Sequence, residues 1–352
     1  EQYHSIFDRI VAKSSGLFSI MNAGSSFEGR PIRRIEVGGG RIHVLLWSQM
    51  HGDESTATMA IADIVSYIVS TEREQPTQDL LSSLTLHLLP LVNPDGASRI
   101  QRRTAQNIDM NRDALALVTP EARILKSVRD EVEPEFGFNL HDQELSTIGN
   151  SRELTAIALL APAFDKEKSD NTVRRKAKQV AAVFVDSIRK FIPGRIACYD
   201  DTFEPRAFGD CMQKQGTSTV LVESGHVLGD PDKNIVRKLN FVGILASLHA
   251  IAKGEYLSTS GASYEQLPFN GKKAYDVVIR NVAIDHGAGK FTQVDLGISY
   301  QVDTHSESTP KLIDVGDLHT YIGLKEIEGR GRSIPASSLS LGNAFTWNKF
   351  FS

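Results

Sequence analysis

The chain has 352 residues, 41% hydrophobic and 23% charged, with a formal net charge of −4. That leaves room for one large and one small domain of ordinary globular composition, and argues against a nucleic-acid or anionic-membrane surface as the main partner. No uninterrupted apolar run approaches the ~20 residues that span a bilayer, and two cysteines, Cys198 and Cys211, are too few for a disulfide scaffold and are expected as separate buried thiols. Glu1-Gln2-Tyr3-His4 has no signal-peptide pattern, so the expected location is cytoplasmic, although a cleaved export signal would leave no trace.

The first 23 residues suggest a helical lead-in, Ile6 to Ala12 and then Leu17 to Met21. The turn-rich Gly24-Ser-Ser-Phe-Glu-Gly-Arg-Pro-Ile32 precedes a short strand, Arg34 to Val37. After Gly38-Gly39-Gly40, the apolar run Ile42 to Trp47 predicts a buried strand ending just before His51-Gly52-Asp53-Glu54. Apolar spacing at Met59, Ile61, Ile64, Val65 and Ile68 puts a helix over Ser55 to Val69. Leu84 to Val92 is a further strand, closed by the turn Asn93-Pro94-Asp95-Gly96. Thr119-Pro120-Glu121 opens a helix with a capping hydroxyl, a first-position proline and an early acid, and the helix ends near Glu133-Pro134.

A strand from Phe136 to Leu140 stops at His141, and another covers Leu154 to Leu160. A long basic amphipathic helix, Glu167 to Phe191, is followed by strands at Arg195 to Tyr199 and Ser218 to Val222, the second stopping at Glu223. Asp230-Pro231 caps a last helix running to about Ala252. This alternation predicts an α/β catalytic domain over residues 1–254 with a largely parallel central sheet. Beyond a polar linker, Ser258 to Gln266, the alternating segments Tyr275 to Ile279, Gln293 to Val302 and Leu312 to Ile322 predict a small β-rich domain over 267–352.

Ligands of such sheets sit beyond the carboxyl ends of the strands, where His51, His141 and Glu223 all fall. A His and a Glu three apart at a strand exit can aim a nitrogen and an oxygen at one point, with Gly52 letting the backbone bend. That donor pair suits zinc, which takes such ligands at about 2 Å.

His51-Gly-Asp-Glu54, Asn93-Pro-Asp-Gly96, Arg102-Arg-Thr-Ala-Gln-Asn-Ile-Asp-Met-Asn-Arg112, Asn139-Leu-His141 and Val220-Leu-Val-Glu-Ser-Gly225 occur in one order along the chain. In that order they resemble the zinc carboxypeptidase family, the carboxypeptidase A and D type, over residues 20–253; Gly24 to Pro31 is similar to an element that precedes its catalytic strands. The resemblance implies an α/β/α sandwich with a mixed, mainly parallel sheet. It implies one Zn2+ per chain held by His51, Glu54 and His141, and Glu223 as the general base. It also implies Asn111 and Arg112 as the pair that binds the substrate's terminal carboxylate, and Asp109 as an acid orienting the first histidine ligand. Arg102 matches the oxyanion donor, with Arg103 beside it as the alternative. The family's mobile tyrosine has no clean match; Tyr199 and Phe203 flank its place, and Tyr199 is taken as the candidate. The acidic residues Asp200, Asp201, Glu204 and Asp210 favour a basic terminal side chain if they line its pocket, Arg206 an acidic one, and the plainer expectation is a solvated rim.

The implied activity is a metallocarboxypeptidase releasing the C-terminal residue of peptides through a zinc-activated water. The alternative is a zinc amidohydrolase that deacylates small N-acyl amino acids. The expected partner is a peptide with a free C-terminus.

Overall fold

The computed structural model describes residues 2–302 and 308–346. In chain order the elements are α1 (Gln2–Val11), β1 (Phe18–Ser25), β2 (Pro31–Gly38), β3 (Ile42–Ser48), α2 (Thr56–Thr71), α3 (Gln75–Ser83), β4 (Leu84–Leu89) and α4 (Pro94–Ser98). Then come α5 (Pro120–Val132), β5 (Phe136–Asp142), β6 (Thr147–Ile148), β7 (Ile157–Leu160), α6 (Thr172–Ile188), β8 (Ile196–Cys198), α7 (Phe208–Lys214), β9 (Ser218–Ser224), α8 (Asn234–Lys253) and α9 (Ala262–Glu265). Five further strands and the two-residue β10 (Asn270–Gly271) follow: β11 (Ala274–Asp285), β12 (Phe291–Val302), β13 (Ser308–Gly316), β14 (Ile322–Glu328) and β15 (Ser333–Pro335).

Two compact units result, Glu1–Gln143 with Ala156–Phe269, and Glu144–Thr155 with Asn270–Ser352. The first holds an eight-stranded mixed sheet in the order β1-β2-β4-β3-β5-β9-β7-β8. Its centre, β4-β3-β5-β9, is parallel, and antiparallel pairings join β1, β2 and β7 at the flanks. Period-2 alternation assigns each strand residue to one of two cores. Val44 and Leu46 pack with Ile61, Val65, Phe184 and Ile244 of α2, α6 and α8. Leu45 and Trp47 pack with Leu125, Val128, Phe208 and Met212 of α5 and α7. The sheet therefore lies between two helical layers, an α/β/α sandwich.

Several boundaries follow from capping chemistry. Thr119 Oγ1 accepts from the Ala122 amide and starts α5. Asp230 accepts from the amides of Asn234 and Ile235 and starts α8. By length and composition α8 could cross a membrane, yet it carries Val236, Leu239, Ile244 and Leu248 into the core as an interior helix. Both cysteines are free and buried.

Three expectations change. Leu17 to Met21 is not helical: Phe18–Ser25 is an edge strand paired with β2, with a register shift between Asn22 and Gly24. Its half-buried residues offered no clean period, and pairing with its neighbour decides its conformation. Residues 144–155 belong to the second unit, because β6 pairs β10 and Thr147 bridges Leu154, so the strand expected from Leu154 begins only at Ile157. Leu312 to Ile322 is two strands; between them the Arg280 guanidinium donates to the carbonyls of Leu318 (2.6 Å) and Tyr321 (2.7 Å) and fixes the turn. The second unit is a five-stranded sheet, β13-β12-β11-β14 with β15 on β11, around its own core of Val277, Ile279, Val282, Leu296, Ile298, Leu312 and Ile334.

Candidate active site

His51, Glu54 and His141 converge at the carboxyl ends of β3 and β5, all buried, with candidate ligand atoms within 4.8 Å of one another. His51 Nδ1 lies 2.7 Å from Glu54 Oε1, and His141 Nδ1 lies 2.7 Å from Glu54 Oε2. Both histidines thus face the two oxygens of one carboxylate.

Backbone interlocking holds the loop that carries His51. Asn93 accepts from the Gly96 amide through Oδ1 and donates from Nδ2 to the Met50 carbonyl, while its own amide donates to Gln49. Gly52 does not supply an unusual bend; it is glycine because the chain passes so close to the next motif that a Cβ would sit 2.1 Å from the Gly96 carbonyl carbon. Asp95, fully buried, accepts from Ser26 Oγ (2.7 Å), the Glu28 amide (2.9 Å) and Arg30 (2.7 Å). Gly24 to Pro31 is therefore the brace of the Asn93–Gly96 turn, which in turn braces His51.

Asp109 is the next ring of support. Its Oδ1 lies 3.0 Å from His51 Nε2 and accepts from the Asn111 amide at 3.0 Å; Oδ2 accepts from Arg102 Nη2 at 3.2 Å. Arg102 also reaches Glu54 Oε1 at 3.2 Å, whereas Arg103 turns away to the Asn107 carbonyl. Burial raises the Asp109 carboxyl, but His51 and Arg102 outweigh it and hold the group well below its usual range. Burial likewise opposes the ionised form of Glu54, and His141 and His51 override it to keep that carboxyl low.

This donor set fits a divalent cation. A neutral imidazole has one N–H, and His51 meets carboxylate oxygens on both sides at 2.7 and 3.0 Å. One of those contacts lacks a proton unless the ring is charged or a cation lies between. Burial lowers the His51 pKa while Asp109 and Glu54 raise it more; for His141 burial prevails over Glu54 and the pKa is lowered. A histidine that gives its second nitrogen to a carboxylate is the ordinary arrangement of a metal ligand, and two imidazoles plus one carboxylate leave a fourth position open.

Glu223 is the register partner of His141 across the β5–β9 pair and lies on the same face. It is 7% exposed, and its Oε2 is buried without a hydrogen-bond partner. Burial first, then the carboxylates of Glu54 and Asp142, push its pKa well up.

Asn111 and Arg112 occupy a single turn after Asp109. Asn111 Oδ1 accepts from the Phe208 amide at 2.9 Å, so its NH2 is the group left to present. The Arg112 side chain is 42% exposed, with Nε 3.7 Å from Glu204. Tyr199 is not brought to this cluster: it follows edge strand β8, which runs opposite to β9 two strands away, and its amide donates to Leu159. The acidic stretch is not a bare rim either. Asp201 pairs with Lys168 and Arg174, and Glu204 pairs with Arg206. Asp210 is buried in α7, a helix whose apolar spacing at Phe208, Cys211 and Met212 was the available signal. His43 and His87 pair with each other, Nδ1 to Nε2 at 2.9 Å, towards the amino end of β3.

The zinc carboxypeptidase family model (peptidase M14) matches residues 3–147. Carboxypeptidase SOL1 of Arabidopsis thaliana is 32% identical over 114 residues, 30% of this chain and 23% of that protein. Carboxypeptidase A2 of Rattus norvegicus is 33% identical over 105 residues, 27% of this chain and 25% of that protein. The match thus spans about a quarter of these relatives' length. A metallo-carboxypeptidase from Burkholderia cenocepacia has the same fold, with a TM-score of 0.58 at 17% identity over 72% of this chain and 69% of its own. So does the carboxypeptidase A of Helicoverpa armigera, with a TM-score of 0.57 at 15% identity over 70% and 71%.

Proposed function

From a resemblance to the zinc carboxypeptidases that family model, relatives and fold all carry, we propose that this chain is a zinc-dependent metallocarboxypeptidase. The observation that carries the reading is the buried His51–Glu54–His141 cluster with Glu223 in register beside it. Zinc held by His51, Glu54 and His141 would supply Lewis acidity and make water a nucleophile near neutral pH. Glu223 would act as the base, taking up a proton from the attacking water and passing it on to the leaving amine. Its buried, unpartnered oxygen and raised pKa suit a group that must hold a proton part-way through turnover. Arg102, at the edge of the cluster and half exposed, offers its guanidinium to the developing oxyanion. Asn111 and Arg112 hold the terminal carboxylate, an amide beside a guanidinium fork, which confines cleavage to chain ends.

The test is release of free amino acids from a library of short peptides, with added zinc and with chelator. Zinc-dependent loss of single C-terminal residues, with C-terminally amidated peptides spared, is the expected outcome. Equal cleavage of free and amidated peptides would remove the exopeptidase reading. Hydrolysis of N-acyl amino acids with peptides untouched would replace it with a small-molecule deacylase.

A further inference from the structure

The carboxyl ends of β5 and β9 carry a feature that this chemistry does not use. His141 and Glu223 are register partners, and so are the residues that follow them, Asp142 and Ser224. The Lys233 ammonium donates to Asp142 Oδ2 at 3.0 Å and to the Ser224 carbonyl at 3.3 Å. One cation therefore ties together the residues directly after the proposed ligand and the proposed base. Asp142 is held on two more sides. Its amide donates at 3.1 Å to Glu54 Oε2, the oxygen that faces His141, and its Oδ2 accepts from Thr56 Oγ1 at 2.5 Å in the first turn of α2.

Lys233 reaches this place from a left-handed backbone, φ 53° and ψ 30°, a conformation uncommon for a residue with a Cβ. Asp230 fixes it there, its carbonyl accepting from the Lys233 amide and its carboxylate from the next two. The two side chains are only 18% and 12% exposed. Largely buried ion pairs are weak contributors to stability, because desolvation offsets their attraction. Nor is this pair needed to join α8 to α2: Arg237 and Asp63 do that through two hydrogen bonds of 2.6 and 2.5 Å. A strained residue held by its surroundings beside a site is a sign of function.

Resting on the exopeptidase reading, we propose that Lys233 and Asp142 are positioning residues. They form a clamp that locks the starts of α2 and α8 to the ends of β5 and β9, and so sets the spacing of Glu54, His141 and Glu223. The ion pair acts through geometry; neither residue touches substrate.

The test compares Lys233→Met, Lys233→Arg and the control Asp63→Asn in the full chain. Each is loaded with zinc for kcat and KM on a free-C-terminus peptide, and with cobalt for its d–d absorption spectrum. Lys233→Met should lower kcat about ten- to a hundredfold, the scale of an ångström-sized misplacement, with KM within about threefold and a changed cobalt spectrum. Arginine should restore most of kcat, and Asp63→Asn should leave kcat and the spectrum unchanged. Wild-type kcat and spectrum in Lys233→Met, or an equal loss in Asp63→Asn, would overturn the clamp. If Lys233→Met does not fold, Asp142→Asn is read in the same way. A wild type that releases no amino acid defeats the exopeptidase reading alone; the cobalt spectrum then decides the clamp.

Discussion

Two carboxylates in this site, Glu54 and Glu223, are both buried yet pushed in opposite directions. Glu54 faces two imidazoles and is held low, while Glu223 faces carboxylates and is held high. Exchanging the Glu223 oxygen for an amide in Glu223→Gln removes the proton acceptor and keeps the shape. Zinc content should be unchanged while kcat falls by roughly 10² to 10⁴; full activity would take the base role away from Glu223. Asp109 acts one ring further out, fixing which His51 nitrogen faces Glu54. Asp109→Ala should weaken zinc binding about 10- to 100-fold in a chelator competition, and an unaltered affinity would reduce Asp109 to a loop brace. Arg112→Ala should raise KM for free-C-terminus peptides with little change in kcat. The residue types and their order were legible in the sequence, but the choice between Arg102 and Arg103 was not. Two adjacent arginines differ only in where the chain turns, and the structure sends one to Glu54 and the other to Asn107.

At the scale of elements, long patterns were readable and short supported ones were not. α5 and α8 announced themselves by capping residues, and β3 and β5 by apolar runs. β1 is a half-buried edge strand that depends on its neighbour, and α7 is seven residues inside a polar stretch. α7 has its own consequence. It buries Asp210, which accepts from the Glu204 amide at 3.1 Å, and burial, opposed by the amides of Glu204 and of Asp210 itself, raises the Asp210 pKa to about 7 from 3.8. Between those values the folded chain holds a proton that the unfolded chain has released. The stabilising contribution is therefore full below about pH 4 and is lost as pH rises through about 7. About three pH units at about 1.4 kcal/mol each set a ceiling of about 4 kcal/mol. Asp210→Asn keeps an acceptor for Glu204 and removes the titration. It should match the wild type near pH 4 and exceed it by a few kcal/mol at pH 8 in urea unfolding. Parallel pH profiles for the two proteins would show that Asp210 does not titrate in this range.

For the molecule as a whole, the alternation of strands and helices followed by a β-rich tail was enough to expect two bodies. The crossing of 144–155 into the second was not legible, because it depends on a two-residue pairing between β6 and β10, too short to leave a pattern. Each body has its own apolar core, and only the first contains the His51–Glu54–His141 cluster. A ligand that binds only the folded state stabilises the unit that holds it, by about 2.7 kcal/mol at a hundred times its Kd. For a unit of this size that corresponds to roughly 5–10 °C in midpoint. Calorimetry should therefore show two transitions, one moving by that amount between chelator and excess zinc and the other staying in place. In His141→Ala, which removes a donor from the cluster, that zinc-dependent shift should be lost while both transitions remain. A profile insensitive to zinc would take the metal out of this site. One transition shifting as a block would mean that the two units unfold as one cooperative body, despite having separate core residues.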